Sequence, residues 1–554
     1  MVGGRQCLFI ARPLQHYWTP FYIRLLLVKS LNLQKGLGDS LALLAGCSLP
    51  LAFAPYSLFP IAILSPALLF ILWQNISSRR AFWRGLLYGV GVFGMGVSWV
   101  HISFSQFGGL PPVAAVLLTV AFVFVLALYP ALLGGVLTRF FPNSTPIKLL
   151  LILPAAWTLT EWLRGWLFTG FPWLNLGYSQ IDSPLNGFAP LLGVYGVSWV
   201  TVFTSCLIIY ALNIKLLPSL KPLGFPKQQK NQILLTQTLI WFLLVAMWGG
   251  GWLLSRVSWT VAVGKPLQVA LIQANIPQEF KWLYDYRASS VQRYLELSQA
   301  HRDADIIIWP ETAVPLFYHE VPEYVPDFFE RLAAEHAEYG TDFLIGIPVM
   351  NKDGTYLNGV TSIGTQSGFY YKHHLVPFGE YIPFQSIFGE LLKLLDVPMS
   401  EFSAGAAQQT NLTSAGEAIG VSICYEDAFG ELIRNSLPSA TLLVNVSNDA
   451  WFGDSIAPHQ HLEIARMRAL ESGRYLLRAT NTGISAVIDV KGKIMTQAPQ
   501  FKIFALPASA QPYQGITPYV RFGNGLIVTL LLLSLLLGGL IQYRTLRHSK
   551  SFQE

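Results

Sequence analysis

The chain has 554 residues, 52% of them hydrophobic and only 12% charged, with 37 Lys and Arg against 31 Asp and Glu. An ordinary soluble domain carries about twice that share of charge. The composition excludes a disordered chain, which needs low hydrophobicity, and four cysteines are too few for a disulfide scaffold. A net charge of +6 leaves no electrostatic footprint of nucleic-acid binding.

Residues 1–35 form a basic leader with Arg5, Arg12, Arg24, Lys29 and Lys35. Apolar runs follow at about 38–54, 58–74, 85–104, 113–137, 147–163, 189–212 and 234–254, and a last one at 522–543. A bilayer core needs roughly 20 apolar residues per helix, so the pattern predicts eight transmembrane helices, seven of them within 36–256. The first two runs are short and broken by Pro50, Pro60 and Pro66. Leu44-Ala-Gly-Cys47 resembles a lipoprotein cleavage site, but the run before it is short and holds Asp39, so it reads as part of the first span.

Basic residues cluster on alternate connections. Arg79, Arg80 and Arg84 lie between runs two and three, Arg139 and Lys148 between four and five, and Lys215, Lys221, Lys227 and Lys230 between six and seven. The tail 544–554 adds Arg544, Arg547 and Lys550, while the opposite side holds few basic residues. The positive-inside rule then places both termini in the cytoplasm and the block 266–511 on the opposite side of the membrane, which in a bacterium is the periplasm. That block carries 27 Asp and Glu against 16 Lys and Arg; the remainder carries 4 against 21. The basic excess is therefore a topology signal, and the block is an acidic domain large enough for its own core.

Within the block, Leu267–Gln273, Asp305–Trp309, Phe343–Ile347, Gly420–Cys424 and Thr441–Val446 read as buried strands, and 284–301, 322–339 and 459–473 as helices. Residues 475–497 read as strands with a turn at Lys491-Gly492. Such alternation predicts an α/β sandwich.

Cys424 ends an apolar strand and is the one cysteine of the block, so it lacks a disulfide partner there. It is open to two readings, an exposed nucleophile or a buried structural thiol. Glu311 also follows a strand, and Lys372 lies in Phe369-Tyr-Tyr-Lys-His373; a solvated carboxylate and a surface lysine are their plainer fates. Together the three supply a thiol, a base and a cation, which acyl transfer through a thioester requires.

These residues resemble the Glu-Lys-Cys triad of the nitrilase, or carbon–nitrogen hydrolase, superfamily, in the matching positions Glu311, Lys372 and Cys424. Nearly the whole chain is similar to its membrane-bound branch, the apolipoprotein N-acyltransferases. The resemblance rests on Gln273-Ala-Asn-Ile-Pro-Gln278 with Lys281-Trp282, Trp309-Pro-Glu-Thr312, His374-Leu-Val-Pro-Phe-Gly-Glu-Tyr381 and Cys424-Tyr-Glu426. Ser447–Gly453, Arg478–Gly483, Phe107-Gly-Gly109 and Gly170-Phe-Pro-Trp173 add to it. It implies an αββα sandwich on a multi-pass helical membrane domain. It implies Glu311 as general base and acid, Lys372 as oxyanion stabiliser and Cys424 as nucleophile. Glu380 would position the lysine or base, Tyr425 and Glu426 would flank the nucleophile, and Trp282 would engage lipid. The implied partners are a phospholipid donor, commonly phosphatidylethanolamine, and a diacylated lipoprotein acceptor, with no cofactor or metal.

Other features carry competing readings. His459-Gln-His461 has H-x-H spacing without a carboxylate or cysteine cluster beside it in sequence. Glu161 and Arg164 sit in or near the fifth span, at a spacing that allows an ion pair. Arg466, Arg468, Arg474 and Arg478 lie among Glu463 and Glu471 and read as an internal ion-pair network. Residues 385–399 form an apolar stretch readable as a lid or as a core helix. A membrane-anchored amidase with the same triad, and a transporter with a non-catalytic sensor domain, are the competing functions.

Overall fold

The computed structural model describes residues 35–219, 227–381 and 402–550. Residues 1–34 of the leader and the stretch 385–399 lie outside the described residues. Helices occupy every apolar run: α1 (Lys35–Ser48), α2 (Ile61–Leu72), α3 (Ser78–Gly96), α4 (Pro112–Phe140), α5 (Leu153–Arg164), α6 (Ala189–Ser219) and α7 (Lys227–Leu254). Four described helical segments are long and apolar enough to cross a bilayer, Pro112–Phe140, Pro184–Leu212, Leu234–Leu254 and Pro518–Thr545. A fifth would be Ser78–Gly96 with Val100–Phe107, bent by 60°. The apolar helices Gly36–Ala52 and Ile61–Leu72 are shorter. At 1.5 Å per residue, α2 spans about 18 Å, well under a hydrocarbon core of about 30 Å.

Glycine lets these helices close up. A Cβ on Gly85 of α3 would lie 2.4 Å from the Pro130 carbonyl oxygen of α4, and one on Gly46 of α1 would lie 2.1 Å from that of Tyr88. Such small-residue contacts substitute for a hydrophobic drive that lipid cannot supply. Asp39 is paired with Arg80 at 2.6 Å and Arg84 at 3.1 Å.

The acidic block folds into two six-stranded sheets. The first contains β1 (Leu267–Gln273), β2 (Ile306–Ile308), β3 (Asp342–Met350), β4 (Tyr356–Ile363) and β5 (Gly368–Tyr371). The second contains β6 (Leu412–Ser414), β7 (Glu417–Ile423), β8 (Leu442–Ser447), β9 (Leu476–Thr480), β10 (Ala486–Ile488) and β11 (Ile494–Gln497). Strand β12 (Phe504–Ala510) returns to the first sheet, giving the orders β12-β1-β2-β3-β4-β5 and β11-β10-β9-β8-β7-β6. The central strands β1, β2, β3 and β7, β8, β9 run parallel, and the flanking strands antiparallel. Val269, Leu271, Ile306 and Ile308 of one sheet meet Val421, Ile423, Val444 and Leu477 of the other in one core. Strands buried on both faces read as unbroken apolar runs, which is why these were legible.

Helices α8 (Tyr284–Gln299) and α9 (Phe328–Tyr339) cover the first sheet through Val291, Tyr294, Leu295, Phe328 and Leu332. The helix expected over 322–339 is interrupted: Val321–Tyr324 is a separate turn, and Asp327 before α9 has φ 59°, outside the helical region. Helix α10 (Ala457–Ser472) covers the second sheet through Leu462, Ala465 and Ala469. Its opposite face, with Ile464, Met467 and Leu470, joins the core of the membrane helices. The outer layer of the sandwich is thus also part of the helical bundle. Helix α11 (Pro518–Lys550) closes the chain beside α6.

Candidate active site

The carboxyl ends of parallel strands form the crevice of an α/β sheet, and the expected residues meet there. Glu311 follows β2 in a turn that lies directly on β3. A Cβ at Gly346 would stand 2.1 Å from the Pro310 carbonyl oxygen and 2.9 Å from the Glu311 Cα, so glycine is required beneath the turn. Lys372 follows edge strand β5, its N–H held by the Asn358 carbonyl at 2.8 Å. Cys424 follows β7 with φ 52°, a left-handed conformation that a side chain adopts only at a cost.

Glu311 and Lys372 are buried. The Lys372 ammonium donates to Glu380 Oε1 at 2.8 Å and to Glu311 Oε1 at 3.4 Å. Burial alone would lower this lysine, but the Glu380 and Glu311 carboxylates outweigh it and hold it well above its ordinary range, so it stays charged. Glu311 accepts from Asn358 Nδ2 at 2.8 Å on Oε1 and from the Asn448 N–H at 2.9 Å on Oε2. The thiol of Cys424 is pushed up by burial first and by Glu311 second, against the pull of Lys372. The two groups therefore act on the same sulfur, and the thiol is protonated at neutral pH.

The supporting residues have distinct places. Glu380 Oε2 accepts from the Val376 N–H at 2.8 Å, which fixes its other oxygen on Lys372. Glu426 is fully buried. Its Oε1 accepts from the N–H groups of His373 at 2.7 Å and His374 at 3.1 Å; its Oε2 accepts from Ile423 N–H at 2.8 Å and Tyr370 Oη at 3.0 Å. It ties β5 and the segment after it to the turn that holds Cys424. Burial holds its pKa above the ordinary carboxylate value, against the three N–H groups and Lys372, which pull it down. Tyr425 Oη donates to the Gly170 carbonyl at 3.0 Å in the membrane half, and its ring stacks near Trp173 with centroids 6.2 Å apart. Trp282 is half-buried at the end of a short turn, with the Lys281 ammonium 5.9 Å from its ring centroid.

Three residues escaped the sequence reading. Asn358 on β4 donates to both Glu311 and, at 3.3 Å, Glu380. Asn448, which the sequence reading held only inside the motif Ser447–Gly453, supplies the backbone donor for Glu311. Lys281, quoted only as part of a motif, is buried with its ammonium on the Glu311 carbonyl at 3.2 Å and Thr312 Oγ1. Burial lowers it to about 8. A backbone carbonyl is invisible to motif reading, so only the Lys-Trp pair could have signalled it.

The remaining clusters resolve as follows. His461 has both ring nitrogens on carboxylates, Asp449 Oδ1 and Asp427 Oδ1, each at 2.9 Å, while His459 is partly exposed. Among the described residues no group of three His, Cys, Asp or Glu is arranged for a metal ion. The arginine network expected with Glu463 and Glu471 forms only in part: Arg468 pairs with Glu471 at 3.1 Å, but Arg478 pairs with Asp449 at 2.9 Å, Arg466 with the exposed Asp182, and Arg474 donates to the backbone carbonyls of Ala440 and Gly515. Glu161 and Arg164 do not form the ion pair that their spacing allowed. Arg164 donates to the carbonyls of Phe171 and Trp173 and to Asn175 Oδ1, and Glu161 accepts from Trp157 Nε1 and the Leu176 N–H. Both clamp the loop 171–176, because each buried charge finds uncapped backbone groups there.

Comparison with known proteins identifies both halves of the chain. The family model described as the apolipoprotein N-acyltransferase N-terminal domain matches residues 45–207, and that of carbon-nitrogen hydrolase matches 268–506. The chain is 44% identical to an apolipoprotein N-acyltransferase of Methylococcus capsulatus over 87% of this chain and 92% of the relative. It is 43% identical to one of Nitrosomonas europaea over 89% and 95%, and 42% identical to one of Vibrio cholerae over 87% and 93%.

Proposed function

Because the chain belongs to the apolipoprotein N-acyltransferase family, acyltransferases that N-acylate lipoproteins, we propose that it does so by ping-pong transfer through a thioester on Cys424. The observation that carries this is the buried Glu311–Lys372 pair, 3.4 Å apart, set at the same strand ends as the buried Cys424. With the thiol protonated, the sulfur attacks an ester carbonyl of a phospholipid while Glu311 takes its proton. Lys372 and the Tyr425 N–H receive the oxyanion. Collapse expels a lysophospholipid, whose alkoxide takes the proton from Glu311. The α-amine of a diacylglyceryl-cysteine at a lipoprotein N-terminus then attacks the thioester, Glu311 accepts its proton, and the thiol is restored as the amide forms. Phosphatidylethanolamine is the proposed donor, and its sn-1 chain the one moved. Asn358 and Glu380 keep Glu311 and Lys372 in register, Glu426 sets the nucleophile turn, and Trp282 lies where a lipid chain would enter.

Both substrates keep acyl chains in a bilayer, and extracting them would cost about 0.8 kcal/mol per CH₂. A site fused to a membrane bundle avoids this. We place residues 36–256 and 522–543 as eight helices of the inner membrane, residues 266–511 on the periplasmic side and both termini in the cytoplasm, on the basic residues of alternate connections. The short helices α1 and α2 would insert as a packed pair against α3.

Mixing the purified protein with phosphatidylethanolamine alone should add one acyl group to the Cys424 peptide by mass and release one equivalent of lysophospholipid. Amide hydrolysis without either product would defeat the reading in favour of an amidase.

A further inference from the structure

Behind Cys424 lies a closed ring of four buried charges. His461 of α10 bonds Asp449 through Nδ1 and Asp427 through Nε2, both at 2.9 Å. Arg478 of β9 bonds the same two carboxylates, Asp427 Oδ2 at 3.2 Å and Asp449 Oδ2 at 2.9 Å. With a carboxylate on each nitrogen, the imidazole carries both protons. Burial and Arg478 would lower it, but the two aspartates outweigh them and raise it to about 9. The ring is then two cations and two anions, with no net charge.

The ring touches the reaction at one atom. His461 Nε2 also lies 3.3 Å from the Cys424 carbonyl oxygen, and Asn445 Nδ2, whose own oxygen is held by Arg478, lies 3.3 Å from it as well. A peptide group is planar, so gripping the Cys424 carbonyl also sets the direction of the Tyr425 N–H on its other side. That N–H is the backbone donor assigned to the oxyanion. We infer that His461 is a positioning residue of the acyl transfer, which with Asn445 aims the Tyr425 N–H by holding the Cys424 carbonyl, the ring of Asp427, Asp449 and Arg478 keeping the imidazolium in place. The inference rests on Cys424 being the nucleophile.

The test compares single-turnover acylation of Cys424 by phosphatidylethanolamine in the full-length wild type, His461→Gln and Asp427→Asn/His461→Gln. His461→Gln leaves the ring one negative charge in excess, so its thermal midpoint falls. Its acylation rate falls about 10- to 100-fold with the phospholipid KM unchanged, because the oxyanion donor is misdirected but present. The double variant is charge-balanced, so its midpoint recovers while its rate does not. A merely structural histidine would give back rate and midpoint together, and that result overturns the inference, as does wild-type acylation by His461→Gln or a KM that rises in step. If His461→Gln does not fold, the double variant decides: slow acylation by folded protein supports the inference, and wild-type acylation or failure to fold overturns it. Absence of a thioester in the wild type would instead refute Cys424 as nucleophile.

Discussion

Replacing Glu426 by Gln removes one negative charge and one acceptor without changing shape. The carboxylate fills all four of its lone-pair directions, with the N–H groups of His373, His374 and Ile423 and the Tyr370 hydroxyl. The least costly placement of the amide keeps its oxygen on His373 and His374 and turns its nitrogen to Ile423 and Tyr370. The tyrosine can rotate to accept, but the Ile423 N–H cannot, and it is buried. One unsatisfied buried donor costs about 1–3 kcal/mol. That is enough to lower the thermal midpoint by several degrees and, since Ile423 adjoins the nucleophile, to slow acylation by roughly 10- to 100-fold. Single-turnover acylation monitored by mass, and melting followed by the fluorescence of the 16 tryptophans, measure both. Wild-type acylation and melting in Glu426→Gln would refute the claim that this carboxylate ties β5 and the segment after it to the turn that holds Cys424.

Asn358→Leu, which fits the space but donates nothing, should slow acylation about tenfold or more, read in the same assay, by freeing Glu311 and Glu380 from their shared donor. Lys372→Met should abolish acylation and lower the thermal midpoint, because Glu311 and Glu380 would then face one another without a cation. The raised His461 is worth about 3 kcal/mol of stability, fully present below pH 6.5, the ordinary value, and lost as pH rises through 9. The gap in melting temperature between wild type and His461→Gln should therefore be widest below pH 6.5, narrow above it and close by about pH 10.

What was legible follows from periodicity and strand ends. Ile306–Ile308 and Leu442–Val446 are apolar because both faces are covered, so their ends, and Glu311 with them, could be located. Strand β4 was missed because Asn358 and Gly359 break its apolar pattern, yet that asparagine organises two carboxylates. Strand β12 is half-exposed and carries Pro507, tolerable at the sheet edge where it lies. Glu161 and Arg164 were singled out from the sequence, but apart from Trp157, one helical turn before Glu161, their partners are Asn175 and backbone groups of a loop, which helical spacing does not encode. His461 was weighed only as half of an H-x-H pair, since its carboxylates come from turns 34 and 12 residues away.

Helix α10 has no solvent face along most of its length, being shared between a sheet and a bundle. A truncation at the boundary near residue 266 would lay Ile464, Met467 and Leu470 bare to water and cut Gln460 from Trp99 and Trp173, whose indole N–H groups it accepts. The catalytic half is therefore not a detachable module on a tether. Its outer helix finds the rest of its core only in the helical bundle, so the sandwich expressed without residues 36–256 would keep its two sheets but lose the packing that seats α10.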